Sequence, residues 1–198
     1  VHFSIPSASR LACVNNSADG LRYYDGAGWS TSTLTGSIDD SKLAAITVHM
    51  NRVWLAEDNS LDIYYLDVQA IAGAATQLAT SSQFTKGGKV LAMASWTRDG
   101  GAGMDDVLAI ISSNGEVLIY SGTDPDDAAT WSKVGLFSIP RPIQTRRCAV
   151  KFGGDVAILT VQGLIPMSEV LQRANSAQST VAITDKIKGA FSTAANLY

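Results

Sequence analysis

The chain has 198 residues, 46% of them apolar and 17% charged, with a formal net charge of −3. This describes an ordered globular protein of one or two domains with a sparsely charged surface. It excludes a generic nucleic-acid binder, which carries a clustered basic excess, and with no run of roughly 18 apolar residues it offers no helical membrane span.

In chain order, the sequence reads as four similar units. The first, over about residues 1–40, has an apolar run at 1–5, then Leu11-Ala12-Cys13-Val14, a polar tip, Leu21-Arg22-Tyr23-Tyr24 and a further run at 29–34. The second, 41–84, repeats this with 43–50, Arg52-Val53-Trp54-Leu55, a tip, Leu61-Asp62-Ile63-Tyr64-Tyr65 and 75–79. The third, 87–140, has 90–96, 107–111, the tip Ser112-Ser113-Asn114-Gly115, then Val117-Leu118-Ile119-Tyr120 and 131–137. The fourth, 145–167, has 148–152, 156–160, the tip Val161-Gln162-Gly163 and Leu164-Ile165-Pro166-Met167, with no clear outer strand.

Alternation within these runs, as in Leu61, Ile63 and Tyr65 against Asp62, Tyr64 and Leu66, is the two-residue period of strands. Asn114-Gly115 between apolar runs is a hairpin turn, since both residues tolerate positive φ. From Tyr24 to Tyr65, Tyr120 and Met167 the hairpins step by 41, 55 and 47 residues, the period of a propeller blade. Four strands cannot bury both faces alone, so neighbouring units must stack. The expected fold is all-β, a propeller-like array of about four antiparallel meander blades. The glycine-rich insertion at 97–106 lengthens the third unit and is expected to be a loop between its first two strands.

From Ser168 the β pattern stops. Residues 168–174 read as a helix, 175–179 as a link, and Thr184 as the cap of a second helix carrying Ile187, Ala190, Phe191, Ala194 and Leu197. Residues 168–198 thus form a helical C-terminal segment, and the absence of an initiator Met with an apolar end at Leu197-Tyr198 suggests part of a longer protein.

The chemistry-bearing residues do not group. Cys13 and Cys148 lie in apolar runs and read as free buried thiols, and His2 and His49 lie in separate strands without metal-ligand companions. Glu57, Asp58, Glu116 and Glu169 fall in different units, so no carboxylate pair for glycoside chemistry is indicated. The acidic loop Thr123-Asp124-Pro125-Asp126-Asp127 lacks the EF-hand spacing and the Asp-box glycine; it reads as a solvated turn, as do Asp99, Asp105 and Asp106. The basic cluster Arg141, Arg146, Arg147 and Lys151 reads as surface pairing. Tyr23, Tyr24, Tyr64, Tyr65, Trp54 and Trp96 recur at matching repeat positions and read as inter-blade packing. No catalytic, cofactor or metal residues are assigned, and the expected protein is not an enzyme.

Several stretches carry a resemblance. Gly87-Gly88 leading into residues 90–96 and 98–106, residues 113–120, Gly122-Thr123-Asp124-Pro125 with Trp131, Arg141-Pro142, Arg146-Arg147-Cys148, residues 163–168 and Ile183-Thr184-Asp185-Lys186-Ile187 together resemble a family of phage and prophage virion proteins. The likeness covers nearly the whole chain, most distinctively residues 43–198, and its motifs are packing and turn motifs. It implies a propeller-bearing structural protein of the tail hub or nozzle of a short-tailed phage, assembled in the bacterial cytoplasm. It also implies contacts with other tail or head-tail subunits, a homo-oligomeric ring and indirect contact with packaged DNA. The competing expectation is a carbohydrate-binding or glycan-depolymerising attachment module using Trp29, Trp96 or Trp131.

Overall fold

The computed structural model describes residues 2–5, 10–14, 20–99, 104–172 and 182–195. The runs rich in Val, Ile and aromatics form strands, as their fit to a pleated surface dictates, and the fold is all-β with short helices near the C-terminal end. Among the described residues the strands form four sheets. The first is the meander β1 (His2–Ile5), β2 (Arg10–Val14), β3 (Leu21–Tyr24) and β4 (Trp29–Thr31). The second contains β6 (Leu43–His49), β7 (Arg52–Glu57), β8 (Ile63–Tyr65) and β9 (Gly73–Leu78). The third contains β10 (Val90–Asp99), β11 (Met104–Ser112), β12 (Glu116–Gly122) and β13 (Trp131–Ser138). The fourth contains β14 (Ala149–Phe152), β15 (Asp155–Thr160) and β16 (Gly163–Pro166).

These strands fall on the runs expected to form them, with two corrections. The run at 29–34 is split: β4 closes the first sheet, whereas β5 (Leu34–Gly36) crosses to the second and pairs in parallel with β9. The insertion at 97–106 is largely a longer hairpin, because β10 and β11 keep pairing through Thr97↔Asp106 to Asp99↔Met104; residues 100–103 lie outside the described residues. The fourth sheet has three strands and, as expected, no outer strand; its edge is covered instead, the Ile183 N–H donating to the Leu164 carbonyl at 2.8 Å and the Leu164 N–H to the Thr184 hydroxyl at 3.1 Å, with Ala182 buried beneath. The C-terminal segment is helical at α1 (Met167–Gln172) and at α2 (Lys188–Ala195), which follows a 3-10 turn at Asp185–Ile187. The link at 175–179 and the terminal Leu197 and Tyr198 lie outside the described residues.

The sheets stack in chain order, and the two-residue period decides which neighbour each side chain meets. In the second sheet, Val53, Leu55, Tyr64 and Leu66 join Leu21 of the first in one core, while Trp54, Ala56, Ile63 and Tyr65 join Leu108, Ile110, Leu118 and Tyr120 of the third in another. The opposite face of the third sheet (Val107, Ala109, Ile111, Val117 and Ile119) meets Val156, Ile158 and Ile165 of the fourth, with Met167 and Val170 of α1 closing that core. Both middle sheets are therefore buried on both faces. The first strands gather on one side of the stack, where β6 packs against β10 and β10 against β14.

Two first strands carry the same irregularity. Pairing slips by one residue between Leu43 and Ala45 in β6, and between Val90 and Ala92 in β10. A β-bulge there bends and twists the strand, and it turns the consecutive residues Leu91 and Ala92 into the same core. The third hairpin tip needs its glycine, because Gly115 has φ +83 and a Cβ there would lie 2.5 Å from the Ile139 carbonyl.

Candidate functional site

A groove lies where the first strands of the second, third and fourth sheets gather. Ala44 to Val48 of β6, Ala92 to Ser95 of β10, and Ala149 to Lys151 of β14 line a groove of about 330 Å³, with Arg146 and Val156. Consecutive residues line it because it runs along strand edges rather than over a sheet face. A second pocket of about 300 Å³ shares Ser95, Lys151 and Val156 with the groove and adds Thr97, Asp106 and the Gly153-Gly154 turn.

An ion cluster near the groove ties three sheets together. Asp58, just past β7, accepts from Lys89 Nζ at 2.9 Å and from Arg146 Nη2 at 2.6 Å, and Arg146 Nη1 reaches the Val90 carbonyl at 3.4 Å. The Lys89 hydrogen bond, with Arg146 beside it, holds the Asp58 carboxyl below its ordinary range despite partial burial. The expected basic cluster is thereby divided: Arg146 pairs with Asp58, Lys151 lines the groove, and Arg141 and Arg147 are exposed.

Behind the groove, between the second and third sheets, lies a group that the sequence did not assemble. His49 Nδ1 is 3.0 Å from Ser95 Oγ, and the His49 ring packs edge-on to Trp131 with centroids 6.1 Å apart. Trp131 stacks between Trp54 and Tyr120, each 5.3 Å away. Trp54 donates its indole N–H to the His49 carbonyl at 3.2 Å. His49 is only 1% exposed, and burial pushes its pKa down to about 4, against the opposing pull of Asp106 and the Gly122 carbonyl. The imidazole is therefore neutral near pH 7 and able to share a proton with Ser95. Among the described residues no carboxylate hydrogen-bonds the His49 ring: the Asp106 carboxylate accepts instead from the Thr97 hydroxyl at 2.6 Å.

The acidic loop is a largely exposed turn, as its composition suggested, but it is also anchored to the second sheet. Arg52, 7% exposed, donates to Asp124 Oδ1 at 3.0 Å and to the Leu66 carbonyl at 3.4 Å, with its guanidinium 5.7 Å from the Tyr65 ring centre. Tyr65 donates its hydroxyl to Asp126. A buried guanidinium needs such partners, and meeting that need fastens the loop of the third sheet onto the second.

The remaining candidates stay dispersed. Glu57 accepts from the Asp39 N–H at 2.6 Å, and Glu169 sits in α1. Glu116, 2% exposed, accepts from the Thr85 hydroxyl and from the backbone N–H groups of Thr85 and Lys86. Burial raises its carboxyl, yet these donors outweigh it and hold the pKa below the ordinary value. Glu116→Ala leaves those donors without their acceptor and is expected to cost about 2 kcal/mol. An unchanged urea midpoint would show that residues 84–86 do not depend on this carboxylate. Cys148 is a free, buried thiol raised by desolvation to about 11, far from a reactive thiolate; the side chains of Cys13 and His2 lie outside the described residues. No group of three or more His, Cys, Asp or Glu converges as metal ligands among the described residues, and no described helix is long and apolar enough to cross a membrane.

Of the tryptophans offered as a glycan platform, Trp96 and Trp131 are buried, and Trp96 donates its indole N–H to the Gly154 carbonyl at 3.1 Å. Trp29 is 51% exposed and packs on Tyr24. Trp54, Tyr64, Tyr65 and Trp96 are inter-sheet packing residues and Tyr23 packs partly against the same core, as their repeat positions suggested, whereas Tyr24 lies outside the core against Trp29. No protein-family model matches the chain, and no curated protein matches it in sequence.

Proposed function

We propose that the four sheets are successive blades of a β-propeller, and that the chain is a non-enzymatic structural component of a phage particle acting in tail hub or nozzle assembly. The observation that carries the reading is the stack itself. Meanders follow one another in chain order, bury both faces of each middle sheet, and gather the first strands of the last three sheets around a common groove. Such stacking is what successive blades of a propeller would give, where radial repetition protects sheet edges. Polar groups are spent on holding sheets together, as in Arg52 with Asp124 and Asp58 with Lys89 and Arg146, which is what a load-carrying scaffold requires. The resemblance of residues 43–198 to virion proteins supplies the setting: neighbouring tail or head-tail subunits, a homo-oligomeric ring, and packaged DNA close by. Assembly in the bacterial host cytoplasm and residence in the tail follow from the same likeness.

The glycan-attachment reading has less support, because two of its three tryptophans are buried. Mass spectrometry of purified particles from the source phage or induced prophage tests the proposal. Peptides of this chain are expected in intact particles, and their consistent absence would sink the virion assignment.

A further inference from the structure

Oppositely charged side chains line the smaller pocket without pairing to each other. Thr97 and Asp106 are cross-strand partners on β10 and β11, and Ser95 lies two residues before Thr97. The two-residue period therefore puts all three on the third-sheet face that carries Met93 and Leu108 toward the second sheet. Lys151 comes from the fourth sheet, where it pairs with Val156 on the face that meets the third. All four line one pocket of about 300 Å³. Among the described residues, Lys151 nevertheless makes no ion pair with Asp106 or with Asp155, the other carboxylate there. Asp155 is already satisfied, since it accepts from the Val156 N–H at 2.7 Å and from the Ser168 hydroxyl at 2.6 Å. Asp106 accepts from the Thr97 hydroxyl at 2.6 Å and, among the described residues, from nothing else.

Ser95 adds an acceptor to the same wall. A hydroxyl has one donor and two lone pairs, so whichever way its 3.0 Å bond to His49 Nδ1 runs, its oxygen keeps an acceptor for a ligand N–H. The buried His49 ring fixes where that oxygen sits. Beyond Ser95 and Lys151 the chemistry changes. The groove of about 330 Å³ that shares these two residues is walled by short apolar side chains, among them Ala44, Val48, Ala92, Ala94 and Val150. Its other charged residue, Arg146, is engaged by Asp58 and the Val90 carbonyl. The adjoining pockets thus offer a charged half and an apolar half that meet at Ser95 and Lys151. Apolar walls with a few convergent polar groups are the usual form of a small-molecule site.

We propose that the adjoining pockets bind a free α-amino acid with an aliphatic side chain. Lys151 takes the carboxylate, Asp106 and Ser95 take the ammonium, and the side chain lies in the alanine-lined groove. A simple carboxylate would leave Asp106 without a cation, and a simple amine would leave Lys151 without an anion. Only a ligand with both charges complements both walls. This site goes beyond the structural role and does not depend on it.

Isothermal titration calorimetry of the purified chain with L-leucine tests the site. One-to-one binding is expected. Leucinamide lacks the carboxylate, N-acetylleucine lacks the ammonium and glycine lacks the side chain; each is expected to bind at least about tenfold more weakly. Lys151→Met and Asp106→Asn are expected to weaken leucine binding by a similar factor, with circular dichroism and melting unchanged. Absence of binding by leucine, isoleucine and valine overturns the proposal. So does leucinamide, N-acetylleucine or glycine binding as well as leucine does, or full leucine binding by the two variants. None of these outcomes bears on whether the protein occurs in particles, so the two readings fail separately.

Discussion

Replacing Trp54 with alanine lowers the stability of the folded chain by about 3–5 kcal/mol, which for a protein of this length moves the melting temperature by on the order of 10 °C. Trp54 is 0% exposed and sits at the centre of the core between the second and third sheets. Its ring stacks on Trp131 with an interplanar angle of 13° and meets Tyr65 with centroids 5.2 Å apart. Truncation removes aromatic area on both sides and the hydrogen bond to the His49 carbonyl, and the stacked sheets cannot collapse into the space without losing their register. Val68→Ala, at a half-exposed position, is the control and is expected to change stability by less than about 0.5 kcal/mol. Equal melting temperatures for wild type and Trp54→Ala would remove Trp54 from the inter-sheet core.

The second large effect appears with acid. His49 has a native pKa of about 4, against 6.5 for the ordinary imidazole, so the folded chain binds fewer protons at this site than the unfolded chain does. The associated stability is fully present above pH 6.5 and is lost as the pH falls from there toward 4. Its size is about 3 kcal/mol, from roughly 1.4 kcal/mol for each pH unit between the two values. Carboxylates titrate at the lower end of the same window, and His49→Gln separates them, since it retains a polar partner for Ser95 without the titration. Wild type is expected to lose about 3 kcal/mol more than His49→Gln between pH 7 and pH 4, by urea unfolding at each pH. Parallel pH profiles for the two proteins would show that His49 is not held neutral by its surroundings.

The meanders were legible because their signal is local. Val117-Leu118-Ile119-Tyr120 following Asn114-Gly115 specifies a hairpin whatever surrounds it, and the alternation in residues 61–66 shows which side chains face each neighbour. The features that were not legible depend on distant partners. Leu34-Thr35-Gly36 is too short to announce a strand, and its parallel pairing with Gly73-Ala74-Ala75 has no turn between the strands to signal it. The anchoring of the acidic loop was hidden because Arg52 lies 72 residues before Asp124. His49 and Ser95 are 46 residues apart, and they meet because the first strands of adjacent sheets lie side by side. The bulges in β6 and β10 leave no mark in their runs, which are apolar at nearly every position.

The placement of β5 also bears on how such a chain could have grown by duplication. The stretch that looks like one unit in the sequence is not one unit in space, because the second sheet borrows its outermost strand from the residues that precede it. Copying residues 41–84 alone would yield a meander whose β9 edge has lost its parallel partner, and an uncovered edge invites pairing with other chains. The natural cassette is offset, beginning near Leu34 and carrying its own edge cover with it. A graft or truncation that respects this offset keeps a closed seam between the first two sheets.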